Sequence, residues 1–523
     1  MKKIFFATSA LMLTLTTGTT FAAEKPADLA KQIQMLQQQL QSMQQQLDAV
    51  KANEAAQTEA IAKEAMAREE AVKKAREANL EAGGKNVFEG GSIRMIPPAN
   101  PKIVESATHR FTLSSADGNW TIAPTGRVHF DMGGYLSQKP EGTTGIGTPA
   151  GGKMTGGVNV RRGRFGVTGK AMGDFSYQFI LDGGGATDNA TLINTAMLSY
   201  TGIKNTSLDI GYFSAYFSLD RSASSNDVMF LERATPVNVA DGIVGGTARS
   251  QVGFRTWDKN YWFGAYLVGS SVGQAHALTQ RTLGAYQRAT YNPIQTDLLS
   301  VHIGGTAGQL FKAPNSGPGT AQTITLSDRP ELRVDPSTPL STGALGTVAN
   351  PVTGSSVYGV ESAVAWGNLF YQGEYFWVNV ERRGRPSVNF DGGYAQVSYT
   401  FGGRRTYSAN SGAYSGVNPV EPFSPNKGGM GAFEIAARIS QMDLTDRFTS
   451  SLTAAAQPGF VNGGRQTSYT AGLNWYWNSN MLWKLNYIHT NLDKMNPTAT
   501  VGGAGTLGGL KLNALAARFQ VMF

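Results

Sequence analysis

Residues 511–523 read KLNALAARFQVMF. Leu515, Ala517, Phe519, Val521 and Phe523 alternate along the stretch, so in an extended chain they share one face. Arg518 and Gln520 fall on the other. Such a strand offers one face to an apolar medium and one to water. An apolar stripe closing on an aromatic residue reads as the terminal strand of an outer-membrane β-barrel, with its end at the periplasm.

The same period of two extends upstream to Thr125. In 126–136, Val128, Phe130 and Met132 oppose Arg127, His129 and Asp131. In 174–182, Phe175, Tyr177, Phe179 and Leu181 oppose Ser176, Gln178 and Asp182. Segments of about ten alternating residues, parted by turn formers, are the signature of a membrane barrel. Sixteen are predicted, all antiparallel: 126–136, 158–170, 174–182, 191–201, 206–213, 248–257, 261–269, 281–291, 298–306, 357–366, 369–380, 391–401, 431–442, 466–477, 481–490 and 511–523. Asp258-Lys259-Asn260 and Asn478-Ser479-Asn480 read as short periplasmic turns. Trp257, Tyr261, Trp262, Trp475, Trp477 and Trp483 cluster beside them as an aromatic girdle. Long loops then fall after odd strands, at 137–157, 214–247, 307–356, 443–465 and 491–510. Residues 402–430 become a long periplasmic connection, unless two further short strands lie there or in 307–356. A soluble sandwich or propeller would show apolar strands on both faces or a blade-length repeat, and neither is present.

The chain has no cysteine. A closed barrel needs none, because its backbone groups pair around the ring. The net charge of +8 fits a binder of nucleic acid or of small anions and by itself decides neither. Residues 1–22 read as a signal peptide: Lys2 and Lys3, an apolar run Ile4–Leu15, then Thr20 and Ala22 before the cut. Residues 23–84 read as a periplasmic coiled-coil helix. Leu29, Leu36, Met43 and Val50 repeat every seven residues, with Ile33, Leu40 and Leu47 on the alternate seam. Gly83-Gly84 end it. Residues 85–124 read as a linker and plug-like approach segment, and 125–523 as the barrel.

Several motifs add a resemblance. They are Val160-Arg-Arg-Gly-Arg-Phe-Gly166, Asp174-Phe-Ser-Tyr177, Phe230-Leu-Glu-Arg-Ala234 and Tyr371-Gln-Gly-Glu-Tyr-Phe376. Gly392-Gly-Tyr394, Tyr399-Thr-Phe401 and Gly431-Ala-Phe-Glu-Ile-Ala-Ala-Arg438 complete the set. In this order they resemble the phosphate-selective porin O and P family. The resemblance implies a trimeric porin of sixteen strands, with a loop folded into each pore and arginines along an anion path. The helical extension resembles that of dicarboxylate-channel relatives and of some sugar porins.

An anion path needs fixed positive charge facing water. Alternation turns Arg162 and Arg164 inward beside lipid-facing Phe165 and Val167, and sends Arg161 outward. Arg249 and Arg255 point inward opposite Val252 and Phe254, and Arg438 opposite Ile435 and Ile439. Arg127 and Arg518 follow the same rule. Inward acids are Asp131, Asp182, Glu374 and Glu434. By the resemblance, loop 214–247 narrows the pore, with Arg221, Ser222, Ser224 and Arg233 as solute contacts. Val228, Met229, Phe230 and Leu231 would pin it to the wall.

No enzyme motif is present: no Gly-x-Ser-x-Gly and no His-Glu-x-x-His. The five histidines are scattered, so no metal and no cofactor is expected. The reading is passive, anion-preferring diffusion of phosphate or small organic anions such as dicarboxylates. The expected partners are those solutes, outer-membrane lipid, a homotrimer and periplasmic or peptidoglycan contact through the coiled coil, with no nucleic acid. The alternatives are a general or sugar porin, or a barrel that serves envelope tethering through its helix.

Overall fold

The computed structural model describes residues 26–81, 85–89, 92–96, 102–104, 111–141, 153–185, 193–244, 248–270, 282–315, 319–447, 459–495 and 507–523. The expected signal peptide lies outside them. The chain forms two compact units, Met1–Ala99 and Asn100–Phe523.

In the first unit a helix, α1, spans Pro26–Glu81. Proline suits the first helical position, where its missing N–H would have no partner. Leu40, Met43, Leu47 and Val50 are exposed along it. A hairpin, Lys85–Glu89 with Ser92–Ile96, follows.

The second unit is the predicted barrel. Its strands are β1 (Thr121–Glu141), β2 (Gly157–Ala171), β3 (Phe175–Asp182), β4 (Ile193–Tyr200), β5 (Thr206–Phe213), β6 (Arg249–Asp258), β7 (Tyr261–Val268) and β8 (Leu283–Gln295). They continue as β9 (Leu299–Lys312), β10 (Val352–Trp366), β11 (Leu369–Arg382), β12 (Arg385–Phe401), β13 (Ala432–Asp446), β14 (Val461–Tyr476), β15 (Met481–Met495) and β16 (Leu507–Met522). Each pairs antiparallel with its neighbour, and β16 closes the ring on β1 from Met522↔Arg127 to Gly509↔Glu141. All sixteen predicted strands are present. Phe523 continues the ladder by exchanging hydrogen bonds with Gly126 at 2.9 and 3.0 Å. The Phe523 ring lies against Gly126, where a Cβ would sit 2.4 Å from it and push the ring aside.

Leu515, Phe165, Val252, Ile435 and Ile439 lie exposed on the outer face, whereas Arg518 and Gln520 are buried inside. A charge aimed at lipid near mid-membrane costs about 2–4 kcal/mol, which fixes this alternation. A β-bulge interrupts it in β2. His129 pairs with Arg162 but Phe130 with Val160, so Arg161 is the extra residue of a β-bulge. A bulge sets two residues opposite one. Arg161 therefore shares the inner side with Arg162, which corrects the outward assignment.

Several connections differ from expectation. β11 and β12 meet at Arg383-Gly384, a tight link at the end where long loops were expected, with Gly384 at φ +69°. Short hairpins lie in both suspect segments: Thr325–Asp328 with Leu340–Ala344, and Tyr407–Ser408 with Ala413–Tyr414. Residues 402–430 remain a connection between β12 and β13, so the strand count is unchanged. The barrel begins at Thr121, four residues before the expected boundary. Just before it, Lys102–Val104 pairs with Thr112–Ser114, which pairs with the start of β1. Ile103, Phe111 and Leu113 are exposed there.

Candidate functional site

The loop between β5 and β6 enters the lumen. Ser218 caps a one-turn helix α2 (Leu219–Ser222), its hydroxyl accepting from the Arg221 amide at 3.3 Å. The next free amides, of Leu219 and Asp220, donate to Glu374 of β11 at 2.8 and 3.0 Å. A wall carboxylate thus satisfies a helix start, where unpaired N–H groups and the helix dipole favour negative charge. Helix α3 (Thr235–Val244) buries Val237, Val239, Ala240, Ile243 and Val244 in one apolar cluster with Leu310, Val357, Phe376 and Val378 of the wall. It fills much of one side of the lumen.

Between these helices five of the loop's carbonyls are met by side chains of the wall and, at Asp227, of the 402–430 connection. Asn226 O accepts from Gln520 at 3.1 Å, Asp227 O from Arg405 at 2.7 Å, Val228 O from Lys484, Met229 O from Asn474 at 2.9 Å and Glu232 O from Arg438 at 2.9 Å. Buried backbone groups must be paired, and here four wall strand residues and Arg405 do the pairing. Val228, Met229, Phe230 and Leu231 are buried as expected.

A cavity of about 610 Å³ remains beside β1–β5. Seven arginines line it: Arg127, Arg161, Arg162, Arg164, Arg221, Arg233 and Arg333. Arg161 donates to Glu232 at 2.8 and 3.2 Å, Arg164 to Asp182 at 2.7 Å, and Arg221 lies 3.0 Å from Asp241. Arg233 lies 3.1 Å from Asp220 and donates to the loop's own Ala223 O at 2.8 Å. Two arginines differ. Arg127 donates to the Ser225 and Ser224 hydroxyls at 2.9 and 3.3 Å, and Arg162 sits 3.4 Å from His129 Nδ1. Among the described residues neither forms an ion pair. Asp227 also lines the cavity, and burial pushes its carboxyl above the ordinary value.

All seven wall arginines expected to face inward do so, but they divide. Arg127, Arg162 and Arg164 reach the cavity, as do Arg221, Ser222, Ser224 and Arg233 of the loop. Four do not, which corrects their place on the cavity wall. Arg518 is sealed between Asp131 at 2.6 Å and Glu232 at 3.0 Å. Arg438 is bound to Glu331. Arg249 donates to Gly242 O at 3.2 Å, and Arg255 lies over the Tyr216 ring with Asp209 at 3.6 Å. They hold the inward-folded segments in place. Arg161, Arg333, Gln178 and Asn194 line the cavity and were not expected. Of these only Arg161 carried a signal, as half of an Arg-Arg pair. Arg288 was also missed: buried, it pairs with Glu361 at 2.7 Å and donates to the Ser222 hydroxyl at 3.0 Å.

A closed membrane barrel whose lumen is narrowed by its own loop to a basic passage is an outer-membrane porin. The sequence profile described as "Phosphate-selective porin O and P" matches residues 126–523, and the chain belongs to that family. It is an anion-preferring porin of the outer membrane. Porin O of Pseudomonas aeruginosa is 25% identical over 400 residues, covering 72% of this chain and 86% of that one. An uncharacterized protein of Caulobacter vibrioides is 26% identical over 410 residues, covering 75% and 73%. Among solved structures, the anion-selective porin from Comamonas acidovorans aligns with a TM-score of 0.43 at 12% identity, over 77% of this chain and 100% of that one.

Proposed function

We propose that this porin passes phosphate and small organic anions along Arg127, Arg162 and Arg164 on the wall, with Arg221, Ser222, Ser224 and Arg233 facing them on the loop. The observation that carries the reading is that Arg127 and Arg162 meet the cavity with no carboxylate on them among the described residues. A cation in an ion pair projects little field, whereas one bonded only to neutral groups leaves its charge to the passage. Arg127 also orients the Ser224 and Ser225 hydroxyls, which supplies further donors for an oxyanion. The contacts are spread along the passage, so an ion can leave as well as enter. The family's name agrees with this direction of selectivity.

Helix α1 supports a second part of the proposal. Its exposed Leu40, Met43, Leu47 and Val50 form a seam that needs partners. Three chains brought together by their barrels would zip this seam into a periplasmic coiled coil, to which the cell wall has access.

The test is the zero-current potential of the reconstituted protein across a planar bilayer in a salt gradient, with phosphate and with succinate. Anion preference that phosphate or succinate suppresses by occupying the passage is the expected result. Cation preference would refute the proposal.

A further inference from the structure

Two buried residues on the inner face of β1, His129 and Asp131, each stand opposite one arginine. Asp131 is paired with Arg518 of β16, and His129 with Arg162 of β2. The two contacts are built differently. Arg518 donates to both Asp131 oxygens at 2.6 and 2.8 Å, which cancels its charge. Arg162 donates from Nη1 to His129 Nδ1 at 3.4 Å. His129 is fully buried, and it does not border the cavity that Arg162 lines.

A guanidinium has only donors, so Nδ1 presents its lone pair to Arg162. The ring proton then sits on Nε2, which donates to Asn226 Oδ1 of the β5–β6 loop at 3.0 Å. The Asn226 amide N–H donates to the Ser224 hydroxyl at 3.3 Å, and that hydroxyl also accepts from Arg127 at 3.3 Å. A chain of neutral groups thus runs from Arg162 through His129, Asn226 and Ser224 to Arg127. The other arginines on the cavity all hold carboxylates, as Arg161 does on Glu232 and Arg164 on Asp182.

We propose that His129 is a positioning residue of the anion path. It holds Arg162 at the passage through a neutral acceptor, so the side chain is fixed while its charge stays uncancelled. An acid at 129 would fix Arg162 and cancel it. A residue without an acceptor there would release it toward Glu232, the acid nearest to it. A neutral imidazole does neither. The proposal rests on the anion path described above, and within it on the Nδ1 contact.

Asparagine and glutamine divide the two bonds of the ring. His129→Asn keeps an acceptor where Nδ1 was and drops the bond to Asn226. His129→Gln keeps a donor where Nε2 was and drops the bond to Arg162. His129→Asp has the shape of the first variant and carries a negative charge. Zero-current potentials of the reconstituted full chain in dilute chloride gradients read the difference. His129→Gln and His129→Asp lower the anion-to-cation permeability ratio by about fivefold, the contribution of one guanidinium about 4 Å from an anion in a bulk-like medium. His129→Asn restores the native ratio. A residue that only docks the loop needs Nε2 and not Nδ1. Equal ratios in the Asn and Gln variants, or a lower ratio in the Asn variant, would therefore overturn the proposal, as would a native ratio in His129→Asp. Should the variants fail to assemble, nitrogen magnetic resonance of the native barrel in lipid carries the test. His129 Nδ1 resonates as a bare ring nitrogen, and a proton found on it overturns the proposal. A native protein without anion preference sinks the path and this role together, whereas native preference with equal Asn and Gln variants sinks this role alone.

Discussion

Replacing both Arg127 and Arg162 by glutamine separates charge from architecture. Neither side chain forms an ion pair among the described residues, and Glu232, the acid nearest Arg162, keeps Arg161, Arg518 and Arg333. The Ser224 and Ser225 hydroxyls lose the donor they had from Arg127, and Ser224 keeps the Asn226 amide at 3.3 Å. An anion about 4 Å from a guanidinium gains about 1 kcal/mol in a bulk-like medium, and about 4 kcal/mol at the effective permittivity near a protein surface. Taking the lower figure, each arginine contributes roughly fivefold to anion occupancy and the pair up to about 30-fold. Salt shrinks this, since the Debye length falls from about 10 Å at 0.1 M to about 3 Å at 1 M. The double variant should therefore lose most of its anion preference in dilute salt and differ little from the native protein in concentrated salt. Zero-current potentials in gradients at the two strengths measure it. Unchanged anion preference in dilute salt would show that the field comes from elsewhere, and the assignment of these two residues would be wrong.

Three further outcomes follow from the same contacts. Arg518→Met strands Asp131 in a dry interior and should cost about 3–5 kcal/mol, read as a lower unfolding temperature of the barrel on heated gels. Acidification should raise anion preference: burial lifts the Asp227 carboxyl, so falling pH neutralises a negative charge on the passage before ordinary carboxylates titrate. Zero-current potentials from neutral to mildly acid solution check the sign. Removing residues 24–84 should leave single-channel conductance unchanged and reduce cross-linked trimer in detergent, whereas loss of conductance would make the helix part of the pore.

The strands were legible because lipid punishes any break in their alternation. Where that pressure ends, so does the signal. β12 begins at Arg385 rather than at 391, and Arg385-Pro-Ser-Val-Asn-Phe390 turns its apolar Val388 and Phe390 to the buried inner side, against the lipid-facing stripe that announces a strand. The inward arginines were legible for the same reason, but their tasks were not. Arg518 meets Glu232 across 286 positions and Arg438 meets Glu331 across 107. An arginine that anchors and one that conducts share a strand pattern and differ only in what distant segment arrives above them. Residues 402–416 fold inward, where Trp262 and Arg288 donate to Asn410 O and Gly412 O, and they left one trace, Arg404-Arg405 in an expected long connection with inward Glu434 nearby. A pair of charges cannot say which way a turn folds.

The bulge at Arg161 places two arginines at one step of the wall, which a regular strand cannot do. Deleting Arg161 therefore makes a sharp test. Val160 already faces out and Arg162 in, on either side of the extra residue. With that residue gone the two stand in plain alternation, and every side chain from Arg162 to Ala171 keeps its face. Glu232 loses one partner and retains Arg518 at 3.0 Å and Arg333 at 3.4 Å. The barrel should then assemble, with lower anion occupancy and a wider passage. Substituting a neutral residue at 161 would lower occupancy and keep the width, because the bulge remains. If the shortened chain fails to assemble, the extra residue is needed to set the register of β2 against β1, and the two arginines are a consequence of barrel closure rather than a device of the pore.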